Sequence, residues 1–324
     1  MLRHVKAAVI YETGDPGVLR YEDVPDPECP DGFVVIDVEA ISVEGGDLQA
    51  RADGPLPAVP HIVGYLSAGT VSQTAAEGRA VGDRVVMLNA AGSHAARRAG
   101  PAAMTWPVPA GLDAARAACV PVAFGTAYEC LFTAGALTEG QTVLVGAGAG
   151  GVGMAAIQLA KRAGATVIAT ASSDEKLERL KAFGLDHGVN YATGNLVERI
   201  GELTGAGGVD LVIDPVGGRN LVDSLAVLAW RGTLVSVGVA ARAGAAIDAQ
   251  SLWRRNNTLR GVSLASAILP EYARIHPMIG ALIERVASGE LRVEIDRSFP
   301  LAETAAAHGY VESRRAFGRV VITP

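Results

Sequence analysis

The stretch Thr142-Val-Leu-Val-Gly-Ala-Gly-Ala-Gly-Gly-Val-Gly-Met154 constrains this chain more than any other. Thr142–Val145 reads as a short, apolar, buried strand. Gly148-Ala-Gly-Gly-Val-Gly153 follows with the spacing G-x-G-x-x-G. Val152, Ala155, Ala156, Leu159, Ala160 and Ala163 then recur at the spacing of an amphipathic helix. In such a setting Gly148 allows the tight turn, Gly150 lets the backbone approach a pyrophosphate, and Gly153 lets helix and strand pack closely. The helix start offers free N–H groups and a positive dipole end. A lone glycine motif can be a small-residue turn with no ligand. Here it stands between strand and helix, and a second strand follows at 165–170, so dinucleotide binding is the stronger reading.

Around this stretch the chain changes character. Val5–Tyr11, Leu19–Val24, Phe33–Val43, Ile62–Val71 and Arg84–Leu88 read as strands broken by Gly and Pro, the pattern of a compact, barrel-like domain. A Gly/Asp-rich segment separates the third and fourth of them and ends near Pro60. Ala114–Cys119 and Phe124–Ala134 read as helices. From Thr142 onward strands at 142–145, 166–170, 188–191, 210–213 and 233–237 alternate with helices at 151–163, 174–183, 196–203 and 220–229. That alternation predicts a parallel, doubly wound sheet. Leu259–Leu264 is expected to add an edge strand. A helix over Glu271–Ser288, limited or kinked by Pro277, a strand at Leu291–Ile295, a helix near Ala302–Ser313 and a strand at Arg319–Ile322 finish the chain. These pieces are too few for a domain, so residues after about Gly261 are expected to rejoin the N-terminal part.

Composition narrows the function. Hydrophobic residues make up 49% of 324 residues, enough for large cores, and the net charge is −6 with no basic block. Nucleic acid and anionic membrane are poor partners for such a surface. No run reaches membrane-spanning length and the start lacks a secretory pattern, so the expectation is a cytoplasmic protein. The three cysteines, Cys29, Cys119 and Cys130, match no metal spacing and are expected as free thiols, Cys119 and Cys130 buried.

The same residues resemble the zinc-free quinone oxidoreductase (zeta-crystallin-like) branch of the medium-chain dehydrogenase/reductase superfamily. The stretches that carry the resemblance are Ile41-Ser-Val-Glu-Gly-Gly-Asp-Leu48, Val81-Gly-Asp-Arg-Val85, Pro121-Val-Ala-Phe-Gly-Thr-Ala-Tyr128, Ala147–Gly153, Thr170-Ala-Ser-Ser-Asp-Glu-Lys-Leu177, Ile213-Asp-Pro-Val-Gly-Gly218 and Glu312-Ser-Arg314. The resemblance implies an α/β fold. A discontinuous, β-rich, GroES-like catalytic domain would span 1–122 and 262–324, and an inserted Rossmann domain 123–261. It implies cofactor contacts from Thr126, Gly148, Ala149, Gly150, Gly151, Val152, Ser172, Lys176, Tyr191, Val216, Val237 and Arg314. It also implies a homodimer, an expectation that the edge strand at 259–264 suits.

The cofactor reading favours NADPH. A Rossmann site for NADH ends its second strand with Asp or Glu. Here that strand continues Ala171-Ser-Ser, with no acid, so a 2′-phosphate is not repelled. Ser172 can donate to it and Lys176 can supply charge. In the resembled family Ser, Lys and Tyr at positions matching Ser172, Lys176 and Tyr191, with the Arg matching Arg314, hold that phosphate. Each has a structural reading too. Ser172 and Glu175 fit a capping box, Lys176 a solvated helix residue, and Tyr191 a packed strand end.

The chemistry reading is metal-free. Ser42-Val-Glu-Gly-Gly-Asp47 has no Cys, and His61-Ile-Val-Gly-Tyr-Leu66 stands where zinc enzymes carry Gly-His-Glu, so no zinc is expected. Hydride delivery to a small electrophilic molecule, a quinone or an α,β-unsaturated carbonyl compound, needs least help from a protein. Glu44 and Tyr65 are the substrate-pocket candidates, with Tyr65 as a donor to the developing oxyanion or as packing in the wall. Glu44 departs from the Asn common in the family, and Leu66 from an acid. His94 is expected to line the cleft or face solvent. The alternatives are an enoyl-thioester reductase and an NADPH-binding protein without efficient turnover.

Overall fold

The computed structural model describes residues 4–324; the first residues of the chain, Met1 to Arg3, lie outside the described residues. Contacts divide the chain into two compact units. One holds the described residues up to Val122 together with His276–Pro324, the other Ala123–Ile275.

The first unit begins with β1 (His4–Val9) and β2 (Arg20–Pro25), a two-stranded antiparallel sheet. Then come β3 (Phe33–Ser42), α1 (Gly45–Asp53), β4 (Leu66–Thr74), β5 (Arg84–Leu88), β6 (Arg97–Pro101), β7 (Thr105–Pro107) and α2 (Ala114–Ala118). The second unit holds most of α3 (Val120–Tyr128), a π-helical turn (Glu129–Ala134), β8 (Thr142–Val145), α4 (Gly151–Arg162), β9 (Thr166–Ala171), α5 (Asp174–Leu180) and β10 (His187–Asn190). It continues with α6 (Leu196–Thr204), β11 (Val209–Asp214), α7 (Arg219–Ala226), β12 (Leu228–Ser236), α8 (Ala249–Trp253), β13 (Thr258–Gly261) and α9 (Leu264–Ala267). The first unit resumes at His276, inside α10 (Tyr272–Ala287), and continues with β14 (Ile295–Pro300), α11 (Thr304–Glu312) and β15 (Arg319–Thr323).

β3 organises the first unit. One edge pairs with β4, and the other is shared between β6, opposite Phe33–Asp37, and β15, opposite Ile41 and Ser42. Val34, Ile36 and Val38 alternate into the core; a register shift between Val38 and Ala40 then changes the parity, so Ile41 and Val43 continue the buried row. The resulting seven-stranded sheet carries the C-terminal β14 and β15 beside the N-terminal strands.

The second unit is a six-stranded parallel sheet in the order β10-β9-β8-β11-β12-β13. The strand order reverses between β8 and β11, which is where a doubly wound sheet opens a crevice at its carboxyl ends. Leu144, Ile168, Val212 and Leu234 stand in register across four strands and form the centre of the core.

Several expectations change. α4 is not amphipathic: every residue from Gly153 to Ala160 is buried, and only Lys161 and Arg162 carry charge at its end. The Gly/Asp-rich segment after β3 is the helix α1, begun by Glu44 and by the Asp47 carboxylate, which accepts the Glu44 N–H at 2.9 Å. The strand expected at 291–295 starts only at Ile295, because Leu291 and Val293 are buried from an extended loop. The edge strand stops at Gly261, since Ser263 caps α9 through its hydroxyl. β12 begins earlier than expected, at Leu228, taking residues read as the end of a helix.

The unit boundary shifts as well. Residues 262–275 belong with the parallel sheet, and the first unit resumes at His276 rather than at 262. The reason lies in particular contacts. Val262 N–H donates to Ser236 O at 3.0 Å, Leu264 and Ile268 are buried, and Arg274 grips the buried Glu129 through both carboxylate oxygens at 2.6 and 2.8 Å. A fragment of residues 123–275 is therefore expected to unfold at higher urea than one of residues 123–261. Leaving Glu129 without Arg274 alone costs about 1–3 kcal/mol, toward the low end because Arg274 is partly exposed. Urea titrations of both fragments check this; equal midpoints would restore the earlier boundary.

Candidate functional site

The glycine loop follows β8. Ala147 N–H donates to Thr170 Oγ1 at 3.1 Å and Gly148 N–H to Thr170 O at 2.8 Å, so the end of β9 holds the loop. The left-handed residue of the turn is Ala147, at φ 47°, and not Gly148 as the motif suggested. Gly148 is required for space: a Cβ there would lie 2.8 Å from Ala169 Cβ on β9. Gly153 serves the loop itself, since its Cβ would lie 2.4 Å from Ala147 O and 2.7 Å from Gly148 Cα. Gly150 is the exposed one, the N-cap of α4, and a Cβ there would meet only Ala147 O at 3.3 Å. The first intrahelical bond is Met154 N–H to Gly150 O, which leaves the N–H groups of Gly151, Val152 and Gly153 at the open end of the helix. N–H groups left without an intrahelical partner over a close-packed loop fit a pyrophosphate.

Next door, β9 and β10 end in register, Ala171 opposite Asn190, and Tyr191 N–H donates to Ala171 O at 3.1 Å. Ser172 and Tyr191 are thus the first residues beyond two adjacent strand ends. Tyr191 is exposed, so the packed reading does not hold for it. Ser172 does not cap α5. Ser173 does, its hydroxyl accepting Lys176 N–H at 3.3 Å. Lys176 stands in the first turn of α5. The structure therefore brings Ser172, Lys176 and Tyr191 to one corner of this unit, while Arg314 belongs to the other unit, exposed and left-handed at φ 58°.

Beyond β11 the loop is shaped by Asp214, whose role the sequence reading missed although it lies inside a quoted motif. Its fully buried carboxylate accepts the N–H groups of Val216 at 2.8 Å and Gly217 at 3.1 Å, and the Asn220 amide at 2.8 Å. Val216 is thereby fixed at the sheet's carboxyl edge. Val237 follows β12, its N–H on Asp214 O at 2.9 Å, and lines a cavity of about 530 Å³ with Ser236, Gly238, Gly261, Ser263 and Ser266. Thr126 and Ala149 are buried.

The first unit carries a separate polar cluster. Arg319 donates to Glu44, to Ser42 Oγ at 2.6 Å and to Val43 O at 2.9 Å; Ser42 Oγ also donates to Glu44 Oε1 at 2.9 Å and lies 3.4 Å from Cys119 Sγ. Burial pushes the Glu44 carboxyl up, with Arg319 opposing. Glu44 is therefore engaged inside the unit as an ion-paired buried acid, not presented as an open pocket wall. Leu66, where the resembled family often has an acid, is fully buried. Burial also raises Asp47 well above the usual carboxylate range. Arg98, buried and pushed down to about 9, donates to Tyr65 O, Ser67 Oγ and Ala91 O. Tyr65 is only partly buried, with its phenol raised by burial and by the Asp47 and Glu44 charges.

His94 neither lines a cleft nor faces solvent. It is fully buried with its Nε2 2.9 Å from His308 Nε2, and burial drives both imidazoles down, His308 to about 3. His61 serves β1, exchanging backbone hydrogen bonds with Ile10 at 2.8 and 2.9 Å. All three cysteines are free, Cys119 and Cys130 buried and Cys29 less so. Among the described residues no group of three or more His, Cys, Asp or Glu could hold a metal ion, and no helix is long and apolar enough to cross a membrane.

Against known proteins, residues 30–137 match the alcohol dehydrogenase GroES-like domain and residues 151–280 the zinc-binding dehydrogenase family. A 2-haloacrylate reductase from a Burkholderia species is 32% identical over 99% of both chains. A mycobacterial protein solved in complex with NADPH is 34% identical, with a TM-score of 0.93 over 99% of this chain and 100% of that one. Escherichia coli quinone oxidoreductase, also complexed with NADPH, is 28% identical, with a TM-score of 0.93 over 98% of this chain and 100% of that one.

The close approaches at the loop give a test that needs no ligand. Gly153→Ala forces the backbone of Ala147 or Gly148 to move and is expected to destabilise by about 1–3 kcal/mol. Gly150→Ala meets one atom and is expected to change stability by less than about 0.5 kcal/mol. Denaturant unfolding of the two variants distinguishes them.

Proposed function

Because this chain belongs to the quinone oxidoreductase branch of the medium-chain dehydrogenase/reductase superfamily, we propose that it is an NADPH-dependent oxidoreductase acting, without metal, on quinones or α,β-unsaturated carbonyl compounds. The observation that carries the cofactor choice is the acid-free end of β9. Ser172 and Tyr191 stand beside each other there, and Lys176 opens the next helix. Two NADPH-bound relatives of the same fold support it. When bound, the reduced nicotinamide supplies hydride, two electrons with one hydrogen.

The chain's own residues do the rest. Gly151 and Val152 N–H groups hold the pyrophosphate, with Gly148 and Ala149 forming the loop below and Gly150 giving close access. Ser172, Lys176 and Tyr191 take the 2′-phosphate; Arg314 joins them on the resemblance alone. Val216 and Val237 offer apolar walls, and Thr126 a hydroxyl. The acceptor class rests on relatives named for quinones and for 2-haloacrylate, an α,β-unsaturated carboxylate. Both take hydride at electron-poor carbon, which asks of the protein only positioning and an oxyanion donor. The exposed edge of β13 suits pairing with a second copy in a homodimer.

Lys176→Ala is expected to weaken NADPH binding by roughly one to two powers of ten, the worth of a charge-assisted contact, and to leave NADH within about twofold. Ser172→Asp should shift preference toward NADH, and because Ser173 supplies the cap this variant spares the helix start. Dissociation constants for both cofactors check this; equal losses for NADPH and NADH in Lys176→Ala would show that no phosphate pocket exists. NADPH oxidation with a quinone, an enone and an enoyl-thioester separates the substrate classes, and activity with none of them would favour a binding protein.

A further inference from the structure

We infer that His94 and His308 form an acid-operated latch: while neutral they lock α11 onto the first unit, and their protonation releases it. Of the chain's six histidines only these two are buried, and both belong to this unit. His94 stands in the loop before β6 and His308 on α11, 214 positions further along the chain. Their Nε2 atoms lie 2.9 Å apart, with the rings edge to face at 77°. The His94 side is fixed. A Cβ at Gly64 would lie 2.0 Å from His94 Nδ1, and His94 O accepts the Ala8 N–H of β1 at 2.8 Å. α11 is nine residues long, and the imidazole contact is joined there by Glu312 on Arg51 and by Ala307 in the core.

A hydrogen bond between two Nε2 atoms needs a proton on one and a lone pair on the other. A first added proton keeps that bond but places a charge in the interior; a second breaks it. Both are opposed. Each ring is fully buried and has a guanidinium beside it, Arg51 of α1 for His308 and Arg98 of β6 for His94. Arg98 spends its hydrogen bonds on neutral oxygens, Tyr65 O, Ser67 Oγ and Ala91 O. Arg51 gives one nitrogen to Glu312, while its Nε and Nη1 and the Nδ1 of His308 have no partner. Charged groups on the neighbouring elements are engaged elsewhere: Asp47 with Glu44 N–H, Arg319 with Glu44, Lys6 with Asp23 and Asp296 with Tyr310. Among the described residues no carboxylate bonds either ring. Burial, helped by the neighbouring cations, accordingly holds His94 well below the usual imidazole range and His308 at about 3.

A released imidazole takes its proton near about pH 6.5, whereas in the closed latch it stays neutral far below that. The open state therefore binds more protons throughout that interval, and acid favours it. The stability that the latch gives is fully present above about pH 7 and is lost as pH falls. Each imidazole favours opening about tenfold per pH unit below that point; from pH 7 to pH 5 one contributes roughly twenty-five-fold and two roughly several hundredfold. Asp47 and Glu44 act the other way. Burial raises both carboxyls, so they take up protons more readily in the closed state. The net rise expected at α11 is therefore about tenfold to a hundredfold. The second unit has no counterpart: its one histidine, His187, is exposed.

Native-state hydrogen exchange of the full chain at pH 7 and pH 5, each corrected for the intrinsic rate, tests this. Expected is a rise of about tenfold or more in the opening constant of the α11 amides, while the amides of β8 and β11 stay within about threefold. His308→Gln keeps an N–H for His94 Nε2 but cannot titrate, so its rise should be about fivefold or more below that of wild type. His94→Gln combined with His308→Gln should show no rise at α11. A second readout needs no variant. In NMR spectra of the wild type, the Cε1–H resonances of His94 and His308 in the closed state should keep their neutral positions at pH 5. Unchanged α11 exchange between the two pH values overturns the inference, and so does an equal rise in the double variant. If that variant does not fold, His308→Gln and the wild-type resonances decide: two imidazoles that protonate near about pH 6.5 with α11 still protected are not a latch.

Discussion

Two hydrogen bonds that Thr170 accepts from the loop after β8 hold the cofactor side of this protein in shape. They fasten Ala147 and Gly148 to the end of β9, so the turn cannot relax away from the sheet. Once the loop is fixed, Gly153 must be glycine, because the start of α4 lies against Ala147 O and Gly148 Cα. Once α4 starts there, its free N–H groups sit above the carboxyl edge of the sheet. Asp214 does the same for the neighbouring loop by accepting two backbone N–H groups and an amide. Burying that carboxylate without such donors would be costly; with them it becomes a rigid corner.

The first unit is held differently. Its polar core has buried acids, Glu44 and Asp47, and buried guanidinium groups, Arg51 and Arg98, with Arg319 nearly buried beside Glu44. A buried ion pair is weak evidence of stability, since desolvation offsets most of the attraction. Its use here is geometric. Arg319, on the last strand, binds Glu44 and Ser42 at the end of β3, so the C-terminal segment is tied to the start of α1. The acid at 44, which departs from the resembled family, is thus matched by Arg319 within the same unit.

Much of the fold was legible in the sequence. The alternation from Thr142 onward gave the parallel sheet, because apolar runs of strand length between helical periods leave few other topologies. The glycine spacing placed the loop, and the missing acid after β9 raised the phosphate reading. What escaped were features made by contacts distant in sequence. α1 hides behind two glycines and is begun by its own Glu44 and Asp47. β6 reads Arg-Arg-Ala-Gly-Pro, with no strand propensity, and exists because β3 pairs with it. The π-helical turn at Glu129–Ala134 places Glu129 where Arg274 can reach it.

The sequence by itself determined the alternation of strands and helices from Thr142 onward and the place of the glycine loop within it, because periodicity and turn chemistry are local properties. Tertiary structure alone decided which serine caps α5, which residue takes the left-handed turn, where the second unit ends, and that Glu44 faces Arg319 while His94 faces His308. Those outcomes depend on which partner a polar group finds when it leaves water, and a buried charge or imidazole accepts whatever the fold brings within reach.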